Sequence, residues 1–475
     1  MKMLRRKVSV SQSETMTEDE RSSTKNGFFS NWFGPAATTD TRDGESEFTY
    51  FDGDASSADS IDNQYPTSNK HEGQRENYEC SFDQTESEGV DSLAEFERDL
   101  QIRHSQACKL MRNSKFDKAL KKFESILASI LERFGEAHHR VGAALHNVGI
   151  ANLRAGKLAD AMDAIEEAIR IRKASLGQDD TSVTDSLVEL GIILLSLKEY
   201  SDSLEVLTEA LELRENEAED QVFPKDIKDS QLKIAKILNN IGCVHFESGN
   251  FEHAKGAFTD AIALQKEALG EFVVSSSVND PTSKPGFLTM ASTMCNKGYT
   301  EIIDDNCREA ILIFNESLQI QRHLLGADNK LVLSTLDNLG FAYSMIGSYN
   351  KAMTVIQELL STQEKSYAES QENCAETLKK LIYVQLKLKD FEGTLKTLCS
   401  LEDIQIELGD QDDQELMLTR RLMGQVNYQV LKYPSTGCGI FSCTSDPDEA
   451  LDIGSWIPKK PLNSSKMSGH RITYA

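Results

Sequence analysis

The sequence predicts an all-α solenoid: a stack of about seven helical hairpins, ended by a capping helix and flanked by two tails. Three observations carry this. First, residues 145–168, LHNVGIANLRAGKLADAMDAIEEA, form two short amphipathic patterns. Leu145, Val148, Gly149 and Asn152 share one helical face, Leu158, Ala161, Ile165 and Ala168 share another, and Ala155-Gly156-Lys157 breaks between them. Second, small residues recur at this motif position at Ala107, Gly149, Gly191, Gly242, Gly298, Gly340 and Gly424, with Ile382 taking the place once. The steps are 42, 42, 51, 56, 42, 42 and 42, so five of seven are equal and the other two need only insertions. Third, a hairpin this small cannot hide both apolar faces by itself. It must stack on its neighbours.

In chain order, residues 1–92 are expected to be a disordered acidic tail, rich in Ser, Thr, Asp, Glu, Gly and Asn and without a helical apolar period. From Asp40 to Asp91, 15 acidic residues face Arg42, Lys70 and Arg75, a balance of −12. Arg5-Arg6-Lys7-Val8 precedes Ser9, which makes Ser9 a candidate site for a basophilic kinase; a basic end without a role explains the same residues. Phe28, Phe29, Trp32 and Phe33 put four aromatics in this polar tail. That pattern fits a segment that docks into a groove, or else a leftover apolar cluster. The solenoid is expected over 93–433, its first helix beginning with Leu93, Phe96, Leu100 and His104 and its second running from Phe116 to Phe134. Residues 215–226, with an acidic run and Pro224, are expected to stop a helix between the third and fourth hairpins. Residues 271–286, with Pro281 and Pro285, separate the fourth and fifth. Both read as loops extended at hairpin junctions. Glu415 to Leu431 repeats the first-helix pattern without a second helix, and Arg420 and Arg421 stand where inner apolar residues would be. That suits a cap with a polar outer side. Residues 434–475 read as a second tail, in which Cys438 and Cys443 have no His or further Cys pair to complete a zinc site.

The repeated unit is a small residue, a turn residue seven positions on, an aromatic two further and a small residue three after that. Gly242/Gly249/Phe251/Ala254 and Gly340/Gly347/Tyr349/Ala352 carry it in full, and Gly149/Gly156/Leu158/Ala161 with Leu for the aromatic. This resembles the tetratricopeptide repeat, whose usual period is about 34 residues. A 42-residue step with long second helices and a following Leu-Gly resembles the kinesin light chain subtype, as in EEAIRIRKASLGQDD (166–180) and NESLQIQRHLLGADN (315–329). The resemblance implies that His138 and His139 are residues of an inter-repeat turn.

Composition bounds the function. A net charge of −25 disfavours nucleic acid, whose phosphates need clustered Lys and Arg, and equally disfavours anionic membrane surfaces. Nine cysteines have no framework spacing, which points to a reducing, cytoplasmic setting. The N-terminus has no apolar core behind its basic residues, and no run of about 18 apolar residues offers a membrane span. There is no Gly-rich phosphate loop, HExxH, GxSxG or CxxC, so neither an enzyme nor a cofactor is expected.

What remains is surface. First helices of stacked hairpins line the concave side. Two residues before the small residue stand Asn147, Asn240, Asn296 and Asn338, with Glu189 and Lys380 interrupting. An amide there can donate to and accept from an extended peptide backbone, or bond helix to helix within the stack. In tetratricopeptide and kinesin light chain proteins, asparagines at this place resemble those that hold bound peptide. Tyr299, Phe341 and Tyr383, one after the small residue, and Phe246, one turn later, are candidate groove aromatics or plain packing. Inward cations are few, Arg154, Lys236, Lys379 and Lys387, which argues against a basic carboxylate clamp. The expected function is a non-catalytic scaffold binding peptide segments of protein partners. The resemblance implies a kinesin light chain-like cargo adaptor as the second reading, against which residues 1–92 show no sustained heptad. A regulatory subunit of an enzyme complex is the third. The Phe28–Phe33 segment could also occupy the chain's own groove, since a tether of about 60 residues reaches roughly 40–45 Å.

Overall fold

The computed structural model describes residues 84–219, 221, 223–270, 272, 283–365, 371–409 and 414–432. Among them the chain forms fifteen helices and no strand. Fourteen pair as hairpins: α1 (Gln84–Arg112) with α2 (Phe116–Phe134), α3 (His139–Arg154) with α4 (Leu158–Leu176), α5 (Thr181–Leu197) with α6 (Tyr200–Glu219), α7 (Pro224–Glu247) with α8 (Phe251–Leu269), α9 (Lys284–Ile303) with α10 (Cys307–Leu325), α11 (Lys330–Met345) with α12 (Tyr349–Lys365), and α13 (Gln371–Lys387) with α14 (Phe391–Leu408). Helix α15 (Gln414–Lys432) stands last. Helix α1 reaches back beyond Leu93 to Gln84.

Each hairpin is made by the same local chemistry. At the seventh residue after the small one the backbone turns left-handed, with φ between 51° and 83° at Ser114, Gly156, Lys198, Gly249, Asp305, Gly347 and Lys389. The next residue returns its N–H to a carbonyl five back, Lys157 to Asn152 at 2.9 Å and Asn250 to His245 at 2.7 Å. This closes the helix end and reverses the chain. The small residue then decides how closely the two helices approach. A Cβ on Gly149 would lie 2.6 Å from Ile165, one on Gly191 2.5 Å from Leu207, and one on Gly242 2.5 Å from the Phe258 ring. The partner is always sixteen residues on. At Ile382 that partner is Leu398, and both are fully buried.

Between hairpins, a buried polar link repeats. Arg172 donates to Ser186 Oγ at 2.7 Å, Thr335 donates to Gln321 Oε1 at 2.8 Å, and Thr419 donates to Gln405 Oε1 at 2.8 Å. Each joins a second helix to the first helix of the next hairpin, so the spacing of the stack is set by hydrogen bonds as well as by oil. Successive first helices, α3 to α5, α5 to α7, α7 to α9 and α9 to α11, also touch. Second helices are spanned by long ion pairs, Lys173 to Glu209 at 3.0 Å and Lys266 to Glu316 at 2.7 Å. First helices therefore lie on the inside of the curve. Asp180 and Asn329 cap α5 and α11, each accepting an N–H two residues on at 2.9 Å. His138 caps α3 in the same way at 3.2 Å, and His139 is its first residue.

Two expectations need correction. The stretch 215–226 is not chiefly a loop: α6 continues through its acidic run to Glu219, and Pro224 begins α7 instead of stopping a helix. Proline lacks an N–H that the first helical turn does not need, so it suits that position. The cap also lacks a uniformly polar outer side. Leu416, Leu422 and Val426 pack inward and Arg420 reaches Glu402 at 2.7 Å, but Met417, Tyr428 and Leu431 are exposed. Most of the 271–286 stretch, together with Ser9, Phe28, Phe29, Trp32, Phe33, Cys438 and Cys443, lies outside the described residues.

Candidate protein-interaction face

The inner face is built from two columns of the first helices, three and two residues before the small one. They pair across hairpins. Asn296 on α9 donates to Asn239 Oδ1 on α7 at 3.0 Å, and Asn239 in turn lies 3.5 Å from Asn240 Oδ1. Lys380 on α13 grips Asp337 on α11 through both carboxylate oxygens, at 2.6 and 2.8 Å. In both cases the later residue bonds the earlier hairpin. Asn240, Asn296 and Asn338 are buried, and Asn147 is half-buried. For Asn296 the amide holds helix to helix.

The aromatic candidates divide similarly. Phe246, Tyr299 and Phe341 are buried, with the Phe246 and Tyr299 rings 5.7 Å apart. Burial, with the charges of Asp337 and Glu247, pushes the Tyr299 hydroxyl far above the usual tyrosine range, so it stays neutral. Tyr383 is half-buried, with the Lys387 ammonium 5.8 Å from its ring centre. Lys379 bridges Glu376 at 2.8 Å and Glu415 at 2.7 Å, tying α13 to the last helix. Arg154 is exposed at the other end. The face thus has a sealed floor and an accessible rim.

Several residues that shape the floor escaped the sequence reading. Asp337, Asn239, Arg172, Arg214 and His146 are buried or nearly so. Arg214 is held by Asp185 and Glu217, both at 2.7 Å. Arg172 and Arg214 share one repeat column with Gln265, Gln321 and Gln405, and alignment in that frame is the signal that would have found them. Burial lowers Lys236 to a pKa of about 8, against the pull of Asp185 and Glu189. Burial raises Cys243 well above the thiol range and leaves it unreactive. Among the described residues no group of three or more His, Cys, Asp or Glu could hold a metal ion, and no helix is long and apolar enough to cross a membrane.

Sequence-family models for the tetratricopeptide repeat match residues 110–174 and 289–365, and, with a second such model, 234–273. The chain carries tetratricopeptide repeats. Among curated proteins, the repeats are similar to Protein KINESIN LIGHT CHAIN-RELATED 3 of Arabidopsis thaliana, at 22% identity over 253 residues, 53% of this chain and 35% of that protein. Protein KINESIN LIGHT CHAIN-RELATED 2 of the same plant is 25% identical over 259 residues, 54% of this chain and 35% of its own length. The match therefore spans about a third of these relatives. Among solved structures, the apo form of RapI shares the fold, with a TM-score of 0.50 and 15% identity over 70% of this chain and 84% of that one. Tetratricopeptide repeats and kinesin light chain-related relatives support a protein-interaction scaffold.

Proposed function

We propose that the repeat array is a non-catalytic scaffold that takes an extended peptide segment of a partner protein along its inner face. The observation that carries this is the division of that face into a fixed floor and an accessible rim. Asn296–Asn239 and Lys380–Asp337 lock successive first helices together, while on the rim Arg154 is exposed and Asn147, Tyr383 and Lys387 are half-buried. A pre-formed floor lowers the ordering cost of binding. Asn240, Asn296, Asn338, Phe246, Tyr299, Phe341 and Lys379 support the face from beneath or beside it.

The test is affinity capture with the full chain, wild type against Tyr383→Ala/Lys387→Glu, with Arg322→Glu on the outer helices as control. Partners lost by the first variant and kept by the control support the reading; equal recovery by all three refutes it. A cargo adaptor of a microtubule motor is the second reading, favoured by the kinesin light chain-related relatives. Recovery of a kinesin motor subunit in the same capture would put it first. In the same setting, docking of the Phe28–Phe33 segment on the inner face predicts tighter partner binding when residues 1–40 are deleted, and unchanged affinity rejects it.

A further inference from the structure

The first helix presents a seam that every later first helix hides. Five residues before the small residue, all later first helices bury their side chain, and at Ser186, Thr335 and Thr419 it bonds the second helix of the preceding hairpin. Two after the small residue they bury it again, as at Ile193, Val244 and Val384. In α1 these places are Ile102, which is 52% exposed, and Lys109, which is also exposed. No helix precedes α1 among the described residues.

This seam carries the opposite charge from the rest of the chain. From Arg98 to Lys122 the sequence holds eight bases and two acids, whereas the whole chain carries −25. Lys122 donates to Gln106 Oε1 at 2.8 Å, which puts it beside the seam, and Lys118 and Lys115 stand one and two helical turns before it. Both acids are already taken, Asp99 by Arg103 at 2.6 Å and Asp117 by Lys157 at 3.0 Å. Among the described residues Arg98, Lys109, Arg112, Lys115, Lys118 and Lys121 form no ion pair. A second reversal lies beside it. Eighteen residues after the small one, Glu209, Glu316 and Glu358 each accept a cation from the preceding second helix. In the first hairpin that place is Ser125, and Arg103 fills it, donating to Ser125 Oγ at 3.2 Å and to Ser129 Oγ at 3.1 Å. Where later hairpins receive a positive charge, the first one shows it.

We infer that this end of the array binds an acidic, amphipathic helix of a partner protein, laid where a preceding second helix would lie. An apolar residue of that helix covers Ile102, and its carboxylates meet Arg98, Lys109 and Lys122. The same columns take a helix in every later hairpin, which sets the shape of the ligand, and the unneutralised cations set its sign. A second copy is disfavoured, because its second helices would bring Lys173, Lys266 or Arg322 against Arg103. An anionic bilayer or duplex spreads beyond a seam one helix wide, onto a chain whose remainder is acidic. The seam stands apart from the inner face, so it acts whether or not that face takes peptide.

The experiment selects a displayed library of helices of about 18 residues, randomised in charge and apolar pattern, on the full chain. Enriched helices should be net acidic with one apolar stripe. Lys109→Glu/Lys122→Glu should weaken them about tenfold or more, and so should Arg98→Glu/Lys118→Glu, which alters only exposed side chains and leaves the fold intact. Tyr383→Ala/Lys387→Glu should bind them as wild type does. Enrichment of basic or neutral helices overturns the inference, as do acidic helices that both charge reversals still bind or that only the inner-face variant loses. Carbodiimide cross-linking of the free full chain tests two other occupants. Links from Lys109 or Lys122 to acids within 40–91, or to a second copy, overturn the inference and assign the seam to the chain's own tail or to a dimer. Co-sedimentation with phosphatidylserine vesicles that Lys109→Glu/Lys122→Glu abolishes overturns it in favour of a lipid surface.

Discussion

Lys380→Asn should destabilise the end of the array by about 3–5 kcal/mol, because it removes the cation gripping a carboxylate that cannot return to water. The side chains of Lys380 and Asp337 are only 6% and 10% exposed, and the ammonium meets both oxygens, at 2.6 and 2.8 Å. Asp337→Asn alone leaves the lysine in the same position and should be costly for the same reason. The double variant is the decisive one. It places Asn at the two columns where Asn239 and Asn296 already pair at 3.0 Å, two hairpins earlier. A neutral hydrogen bond contributes about 1 kcal/mol and leaves no buried charge, so the double should return to within about 1–2 kcal/mol of wild type. Urea unfolding followed by circular dichroism measures the cycle, and hydrogen exchange places the loss at α11 and α13, since repeats couple to their nearest neighbours. If each single change cost under about 1 kcal/mol, or if the double equalled the sum of the singles, the pair would not be a buried, mutually dependent one.

Three further outcomes follow from the packing and charge. Gly242→Ala should cost about 1–3 kcal/mol in urea unfolding, because its Cβ would sit 2.5 Å from the Phe258 ring, itself fully buried. Arg322→Ala, which breaks an exposed pair with Glu358, should change stability by under about 1 kcal/mol in the same assay. Burial, and then the Arg172 charge, hold His146 well below its usual pKa of 6.5, so the folded chain keeps it neutral while the unfolded chain takes up a proton. That stability is present above pH 6.5 and is lost as pH falls, by up to about 2 kcal/mol at pH 5. His146→Gln should flatten the unfolding free energy between pH 7 and 5 relative to wild type; parallel curves would show the histidine is not the cause.

The hairpin fold was legible because its cause is periodic. A glycine at 149, 242 or 340 and a left-handed turn seven residues later repeat at a spacing that no unrelated constraint would produce. The boundary at Pro224 was misread because proline ends a helix from within and begins one from its first turn, and composition does not say which side of it the helix lies on. The floor was the least legible part. Asp337 and Lys380 are 43 residues apart, and only a structure shows that the column of one hairpin faces the adjacent column of the next. An asparagine two places before the small residue reads the same whether it meets a ligand or, like Asn296, another helix.

That distinction decides what the proposed groove would select. With the asparagines and the Lys380–Asp337 pair committed to the floor, the proposed recognition falls to the columns six before and five after the small residue, whose side chains are half-buried or exposed along much of the array. Their charged residues are Asp185, Lys236 and Glu376, and Arg112, Arg154, Glu247 and Lys387, three acids and four bases. Interleaved signs cannot concentrate the field that an acidic tail or a free carboxylate needs, and like charges placed opposite one another are repelled. A partner segment of mixed charge, with an apolar or aromatic residue for the half-buried Tyr383, satisfies both columns. A peptide library selected on the full chain, and counter-selected against Tyr383→Ala/Lys387→Glu, should therefore enrich alternating-sign sequences; enrichment of purely acidic peptides would mean that the floor cation, Lys380, is open to ligand after all.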